Sequence, residues 1–200
     1  MGTAGIVLAA GTATRMGENK VLLRVGEEAL VRRVARAALE AGLDPVLMVV
    51  GHEAGRLERE LAGLPCRTVS NPAFEKGMNT SLDAGVGALP AGVAAAVVLL
   101  ADMPFVDAAM VRSVVLRHEE TGAPLVVSRY GSVLAPPTLY ARALFAELRS
   151  GEGDGRGREV VKRHLGEAAY VDWPKEALLD VDVAEDLERA RARLAKGVAR

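Results

Sequence analysis

Apolar residues in this chain follow two rhythms that take turns. Short unbroken runs such as Ile6-Val7-Leu8-Ala9-Ala10, Val46-Leu47-Met48-Val49-Val50 and Ala94 to Ala101 have the length of strands buried on both faces. Between the first two, Leu30, Val31, Val34, Ala35, Ala38 and Leu39 recur at helical spacing and stop near Gly42. Weaker strand signals fall at Cys66 to Val69 and Leu125-Val126-Val127. Helical patterns fall at Leu57 and Leu61, Ser81 to Leu89, Val111 to Val115, Leu139 to Leu148 and Val183 to Ala195. Alternating strand and helix predicts repeated βα units, and so a three-layer α/β/α fold around a mostly parallel sheet. Such sheets bind ligands beyond the carboxyl ends of their strands. Gly11, His52, Asn71 and Asp102 each follow a predicted strand, so they are expected on one edge.

Composition narrows the partners. The chain has 200 residues, 50% of them hydrophobic and 26% charged, and no linker-like stretch divides it, which predicts one domain over 1–200. A net charge of −1 supplies no basic field for nucleic acid, whereas a free nucleotide needs only a local cationic pocket. Cys66 is the single cysteine, which leaves no disulfide framework and fits a reducing cytoplasm. No basic segment precedes Ile6, and no apolar run approaches the ~20 residues that span a bilayer, so neither a signal peptide nor a membrane is expected.

The loop after the first predicted strand carries candidate chemistry. Leu8, Ala9, Ala10 and Gly11 have small or no side chains at its start, so a ligand can approach the backbone amides. Arg15 and Lys20 then bring positive charge, which suits a polyphosphate. The spacing is not that of a P-loop, since Gly17 is followed by Glu18-Asn19-Lys20-Val21, without the Lys-Ser/Thr pair. It is not a dinucleotide fingerprint either, because Thr12-Ala13-Thr14 follows Gly11. Asp102 stands at the end of the strongest strand, where a carboxylate is placed to hold Mg²⁺ with phosphate oxygens and water. Asp182 reads two ways: as N-cap of the last helix with Glu185 reaching back, or as a second metal ligand. Asn71, Gly77 and Ser81 lie at a loop-to-helix junction whose amide and hydroxyl groups can read a base and ribose, or cap the helix.

The string LAAGTATRMGENKVLL resembles the signature of the nucleotidyltransferases that make molybdenum cofactor dinucleotides, its cytidylyltransferase branch most of all. NPAFEKGMNTSLDAGV, VVLLADMPFV, GDGRGREVV and DVDVAEDL are similar to that family's later blocks, in the same order. The resemblance implies a Rossmann-like nucleotidyltransferase fold and CMP transfer from CTP to the phosphate of molybdenum-bound molybdopterin. It implies Lys20, Arg15 and Asp102 as catalytic residues, Asp102 and Asp182 on Mg²⁺, and Leu8 to Gly11, Asn71, Gly77 and Ser81 beside the nucleotide. A molybdoenzyme or maturation factor is the implied protein partner. The guanylyl branch usually has a second glycine where Ala10 stands, so GTP is the alternative nucleotide.

Three features depart from that pattern. Leu134-Ala135-Pro136 replaces a glycine-histidine-proline-like stretch, and Val183 stands where a threonine is common. Gly151 to Gly157 alternates glycine with Glu152, Asp154 and Arg156, and reads as a lid, an acceptor loop or a plain surface loop in which Arg156 and Arg158 can meet an acceptor phosphate. A different phosphorylated acceptor, such as a sugar or lactyl phosphate, therefore stays open. So does a non-catalytic cofactor carrier, although such a carrier has no need of Arg15, Lys20 and Asp102 together. His118 and His164 fall in helical patterns as surface residues, His52 borders the expected site, and Trp173 reads as packing.

Overall fold

In the computed structural model, which describes residues 2–11, 18–149 and 155–195, the apolar runs become the centre of a seven-stranded sheet. In chain order the strands are β1 (Thr3–Leu8), β4 (Val46–Val50), β5 (Arg67–Ser70), β6 (Ala95–Leu100), β7 (Leu125–Tyr130), β8 (Val133–Ala141) and β9 (Ala168–Trp173). β2 (Arg24–Val25) and β3 (Glu28–Ala29) form a separate small hairpin. The sheet order is β5-β4-β1-β6-β8-β7-β9, and β8 alone runs antiparallel to its neighbours. The α-helices are α1 (Leu30–Glu40), α2 (Ala54–Glu60), α3 (Met78–Gly87), α4 (Ala108–Thr121), α5 (Phe145–Arg149), α6 (Arg156–Arg163) and α7 (Ala184–Ala195).

Side-chain alternation along the strands builds the three layers. Val7, Met48, Val97 and Leu99 point into one cluster with Val31, Val34 and Ala38 of α1 and Val111 and Val114 of α4. Their neighbours Ile6, Val49, Ala96 and Val98 point the other way, onto Leu82 and Val86 of α3, Leu148 of α5 and Val160 of α6. Both faces are therefore covered, which is why these strands read as continuous apolar runs. Helix α3 lies so close that a Cβ on Gly85 would stand 2.6 Å from Ile6 Cγ2.

The helical pattern at Leu139 to Leu148 is corrected by the structure. Leu139, Tyr140 and Ala141 complete β8, pairing with β6 on one side and β7 on the other, and the helix starts only at Phe145. An apolar run this short has no helical or strand preference of its own, and the gap between two strands decided it. From β1 the chain turns first towards β4 and β5, and later towards β6 on the other side. The strand order thus reverses between β1 and β6, the place where open α/β sheets form a binding crevice. No described helix is long and apolar enough to cross a membrane.

Candidate active site

Two features hold the segment after the first loop against this crevice. Asn19 is 1% exposed; its Oδ1 accepts the Val21 N–H and its Nδ2 donates to the His52 carbonyl. Val21 is buried behind it, so Lys20 stands at the start of a short 3-10 turn with its side chain directed elsewhere than the core. Its ammonium lies 2.6 Å from Asp102 Oδ2 and 2.6 Å from Asp182 Oδ1. Asp102 arrives from the end of β6. Asp182 arrives through Val181, whose N–H donates to the Asp102 carbonyl at 3.0 Å and whose side chain is fully buried beside Phe105 and Leu187. Burying Val181 turns its two neighbours, Asp180 and Asp182, out of that core.

The capping expectation for Asp182 with Glu185 does not hold. Asp186 caps the helix instead, its Oδ2 accepting the N–H groups of both Asp182 and Val183 at 3.1 Å. Asp186 is 8% exposed and sits one turn into α7, where a carboxylate reaching back satisfies the open donors of the helix start. The Asp182 carboxylate is thereby left to Lys20.

Charges shape the titration of this cluster. Burial alone would lower the Lys20 pKa, but the charge and hydrogen bonds of Asp102 and Asp182 outweigh it and the net shift is upward. Partial burial, followed by the negative charges of Asp102 and Asp182, pushes the Asp180 carboxyl up to about 6. Asp102 Oδ1 is buried without a hydrogen-bond partner, a position that costs roughly 1–3 kcal/mol unless something occupies it. Among the described residues no three His, Cys, Asp or Glu side chains form a metal-ligand group by themselves. A divalent ion here would rest on Asp102 and Asp182 and be completed by nucleotide oxygens and water, the pattern magnesium favours. The orphaned oxygen fits such an ion.

The other sequence candidates gather on the same edge with different degrees of commitment. Ala9 and Ala10 are each 2% exposed, and Ala9 donates to the Val49 carbonyl, so the start of the loop continues the sheet. A Cβ on Gly11 would meet nothing within 4 Å, which leaves open space over the backbone there. Arg15, with the rest of 12–17, lies outside the described residues, as do Glu152 and Asp154. Asn71 is fully occupied in building the corner between β5 and α3: its Nδ2 donates to Thr80 Oγ1 and Ser81 Oγ, and its Oδ1 accepts from Ala73. Gly77 enters α3 at φ 103°, a conformation suited to glycine. The His52 ring stacks loosely on Phe74, with centroids 6.0 Å apart. Away from the site, His118 bonds the Ala123 carbonyl, and His164, read as a surface residue, is instead mostly covered and bonds Glu147. Trp173 packs at the end of β9 against the α1–α4 side of the core.

Beside Asp180 opens a cavity of about 580 Å³ that the sequence patterns did not reveal. Leu8, Val98 and Leu100 of the sheet form its floor; Met78, Asn79 and Leu82 of α3 form one wall. Leu134, Ala135 and Pro136 of β8 and Gly157, Arg158 and Lys162 of α6 complete it. The segment that departs from the family pattern therefore lines this cavity. Met78 and Leu134 remain 56% and 38% exposed at its edge, so the mouth is apolar. Arg158 and Lys162 are exposed, and neither makes an ion pair among the described residues. Asp180 and Lys162 were not singled out from the sequence, and Asn79 only as part of the 77–81 junction, with no role of its own. Asp180 had a signal in the Asp-Val-Asp spacing; Lys162 had none.

Comparison with known proteins identifies the family. The MobA-like NTP transferase domain model matches residues 5–168. The purine catabolism protein PucB of Bacillus subtilis is 30% identical, over 94% of this chain and 95% of that protein. A probable molybdenum cofactor guanylyltransferase of Pelotomaculum thermopropionicum is 31% identical over 66% of this chain, which spans 60% of its length. Among solved structures, Rv0371c of Mycobacterium tuberculosis superposes with a TM-score of 0.85 at 25% identity, covering 96% of this chain and 98% of that one. Rv0371c has also been solved with manganese, with a TM-score of 0.80 to this chain at 24% identity, over 96% of this chain and 99% of that one. The chain belongs to the MobA-like NTP transferase family and is a nucleotidyltransferase.

Proposed function

We propose that this chain transfers CMP from CTP to the phosphate of molybdenum-bound molybdopterin, releasing pyrophosphate. The observation that carries the reading is the Lys20 ammonium set between Asp102 and Asp182 at the reversal point of the sheet. An acceptor phosphate oxygen forms a bond to the α-phosphorus of CTP while the bond from that phosphorus to the bridging oxygen of the β-phosphate breaks. The acceptor is already anionic, so no side chain has to remove a proton. Lys20 and Arg15 neutralise the triphosphate and the charge that grows on the leaving pyrophosphate, an electrostatic contribution on the order of a few kcal/mol per donor. Mg²⁺ bound through Asp102 and Asp182 would act as a Lewis acid on the phosphate oxygens. The protein's own part is alignment, since holding two anions in line supplies much of the acceleration.

CTP is favoured by Ala10, whose methyl fills space that a glycine would leave open, and the protein works in the cytoplasm as a single domain over 1–200, delivering product to a molybdoenzyme or its maturation factor. Pyrophosphate release with Mg²⁺ and each of the four NTPs, with and without molybdenum cofactor, tests this. Release only with CTP plus cofactor is the expected result. Release with GTP instead moves the protein to guanylyl transfer, and no release with any NTP removes this acceptor.

A further inference from the structure

Asn79 lines the cavity and stands apart from the Lys20, Asp102 and Asp182 cluster. It stands in the first turn of α3 and is 6% exposed. Its Oδ1 accepts the backbone N–H of Arg156, the first residue of α6, at 2.8 Å. That bond settles the orientation of the amide, because only its oxygen can accept. Nδ2 is left buried with no partner. Buried amide donors are paired as a rule, so an orphan on the wall of a cavity marks a ligand contact.

We propose that Asn79 is a specificity-determining residue for the phosphorylated acceptor, donating from Nδ2 to a carbonyl oxygen or an unprotonated ring nitrogen on the acceptor's body. This rests on the transferase reading and narrows its acceptor class. Leu82, Val98, Leu100 and Val127 offer no hydrogen-bond partners, so a polyhydroxylated sugar would lose water over this part of the lining, whereas Thr138, Tyr140 and Asp180 serve only a few polar atoms elsewhere in it. A compact, flat ring system carrying a carbonyl oxygen or an unprotonated ring nitrogen matches these walls, and Arg158 and Lys162 at the rim suit its negative charge. Nδ2 is buried from solvent, so a bond from it to the acceptor displaces no hydrogen bond to water.

The test compares wild type, N79D and N79A. Binding of molybdenum-bound molybdopterin is followed by anaerobic equilibrium dialysis with molybdenum measured on each side. CTP–Mg²⁺ binding is followed by calorimetry, and thermal melts are run alongside. N79D keeps an oxygen for the Arg156 N–H but replaces the donor by an acceptor; N79A removes both. The expected result is acceptor binding at least about ten-fold weaker in N79D, no better than in N79A, with CTP binding within about two-fold of wild type in both. Wild-type acceptor affinity in N79D would overturn the assignment. So would losses that follow the melting temperature and are worst in N79A, since they mark a purely structural amide. Wild-type binding without turnover, with the N79D loss intact, would remove the transfer reaction and leave Asn79 assigned. Absence of wild-type binding would overturn both.

Discussion

The two halves of the site are built on opposite principles. On the β1–β6 side, charge is concentrated and paired: Lys20 holds two carboxylates at 2.6 Å each, and its position is fixed by buried neighbours, Val21 and Val181. On the β8–α6 side, a cavity of about 580 Å³ is largely apolar, with two rim cations and one buried donor left open. The first half is suited to chemistry common to every NTP, because a triphosphate is recognised by charge. The second is suited to choosing among acceptors, because shape and a single directed hydrogen bond discriminate where charge does not. Each half should therefore fail in its own way.

The largest effect is expected on the charged side. Lys20→Ala or Asp102→Ala should lower kcat by about 10²–10³ or more while the thermal midpoint stays near wild type, read by pyrophosphate release and calorimetry. Near-normal turnover in either variant would remove that side from catalysis. The same pairing gives a second test that needs no substrate. Lys20 occupies the space between the two proposed metal carboxylates, so Lys20→Met should bind Mn²⁺ at least about ten-fold more tightly than wild type without nucleotide, measured by electron paramagnetic resonance. Unchanged affinity would show that ammonium and ion do not share those carboxylates.

On the apolar side, Leu134→Asp places a charge at the edge of the cavity. The acceptor KM should rise about ten-fold with the CTP KM unchanged, since the apolar area that Leu134 offers the acceptor is replaced by a charge of the same sign as its phosphate. A rise in both KM values would erase the division between the halves.

The smallest effect sits at their boundary. Asp180 has a folded pKa of about 6, above its value in an unfolded chain. Between about pH 4 and 6 the folded state then binds more protons than the unfolded one, so this group's contribution makes stability fall as pH rises through that window. In chelator-treated protein, Asp180→Asn should match wild type near pH 4 and melt at a higher temperature than wild type at pH 7. An equal difference at both pH values would mean that Asp180 is not held above its ordinary range by burial and by the charges of Asp102 and Asp182.

Legibility in the sequence followed the same boundary. β4 begins and ends where its apolar run does, and α1 follows its helical spacing closely, because both signals are local. Lys20 and Asp102 stood out because the short motifs around them resemble a family's signature; a lone loop cation or strand-end acid would have read as an ordinary surface or turn residue. Asp182 was ambiguous for a local reason as well: any acid before a helix resembles a cap, and only the structure shows Asp186 in that role. The cavity had no local signature. Asn79 meets the N-terminus of α6, 77 residues away, and Leu139 became strand rather than helix because β6 and β7 stood ready to pair with it.

By itself, then, the sequence determined the βα rhythm, the buried strands and the residue types that can handle a phosphate, since these follow from side-chain periodicity and from chemistry carried within short segments. Only the tertiary structure decided which of those residues meet. Lys20 reaches Asp102 across 82 positions and Asp182 across 162, and the acceptor cavity is walled by α3, β8 and α6 together. Such contacts exist only after a sheet has ordered its strands, because no local preference encodes a neighbour that far along the chain.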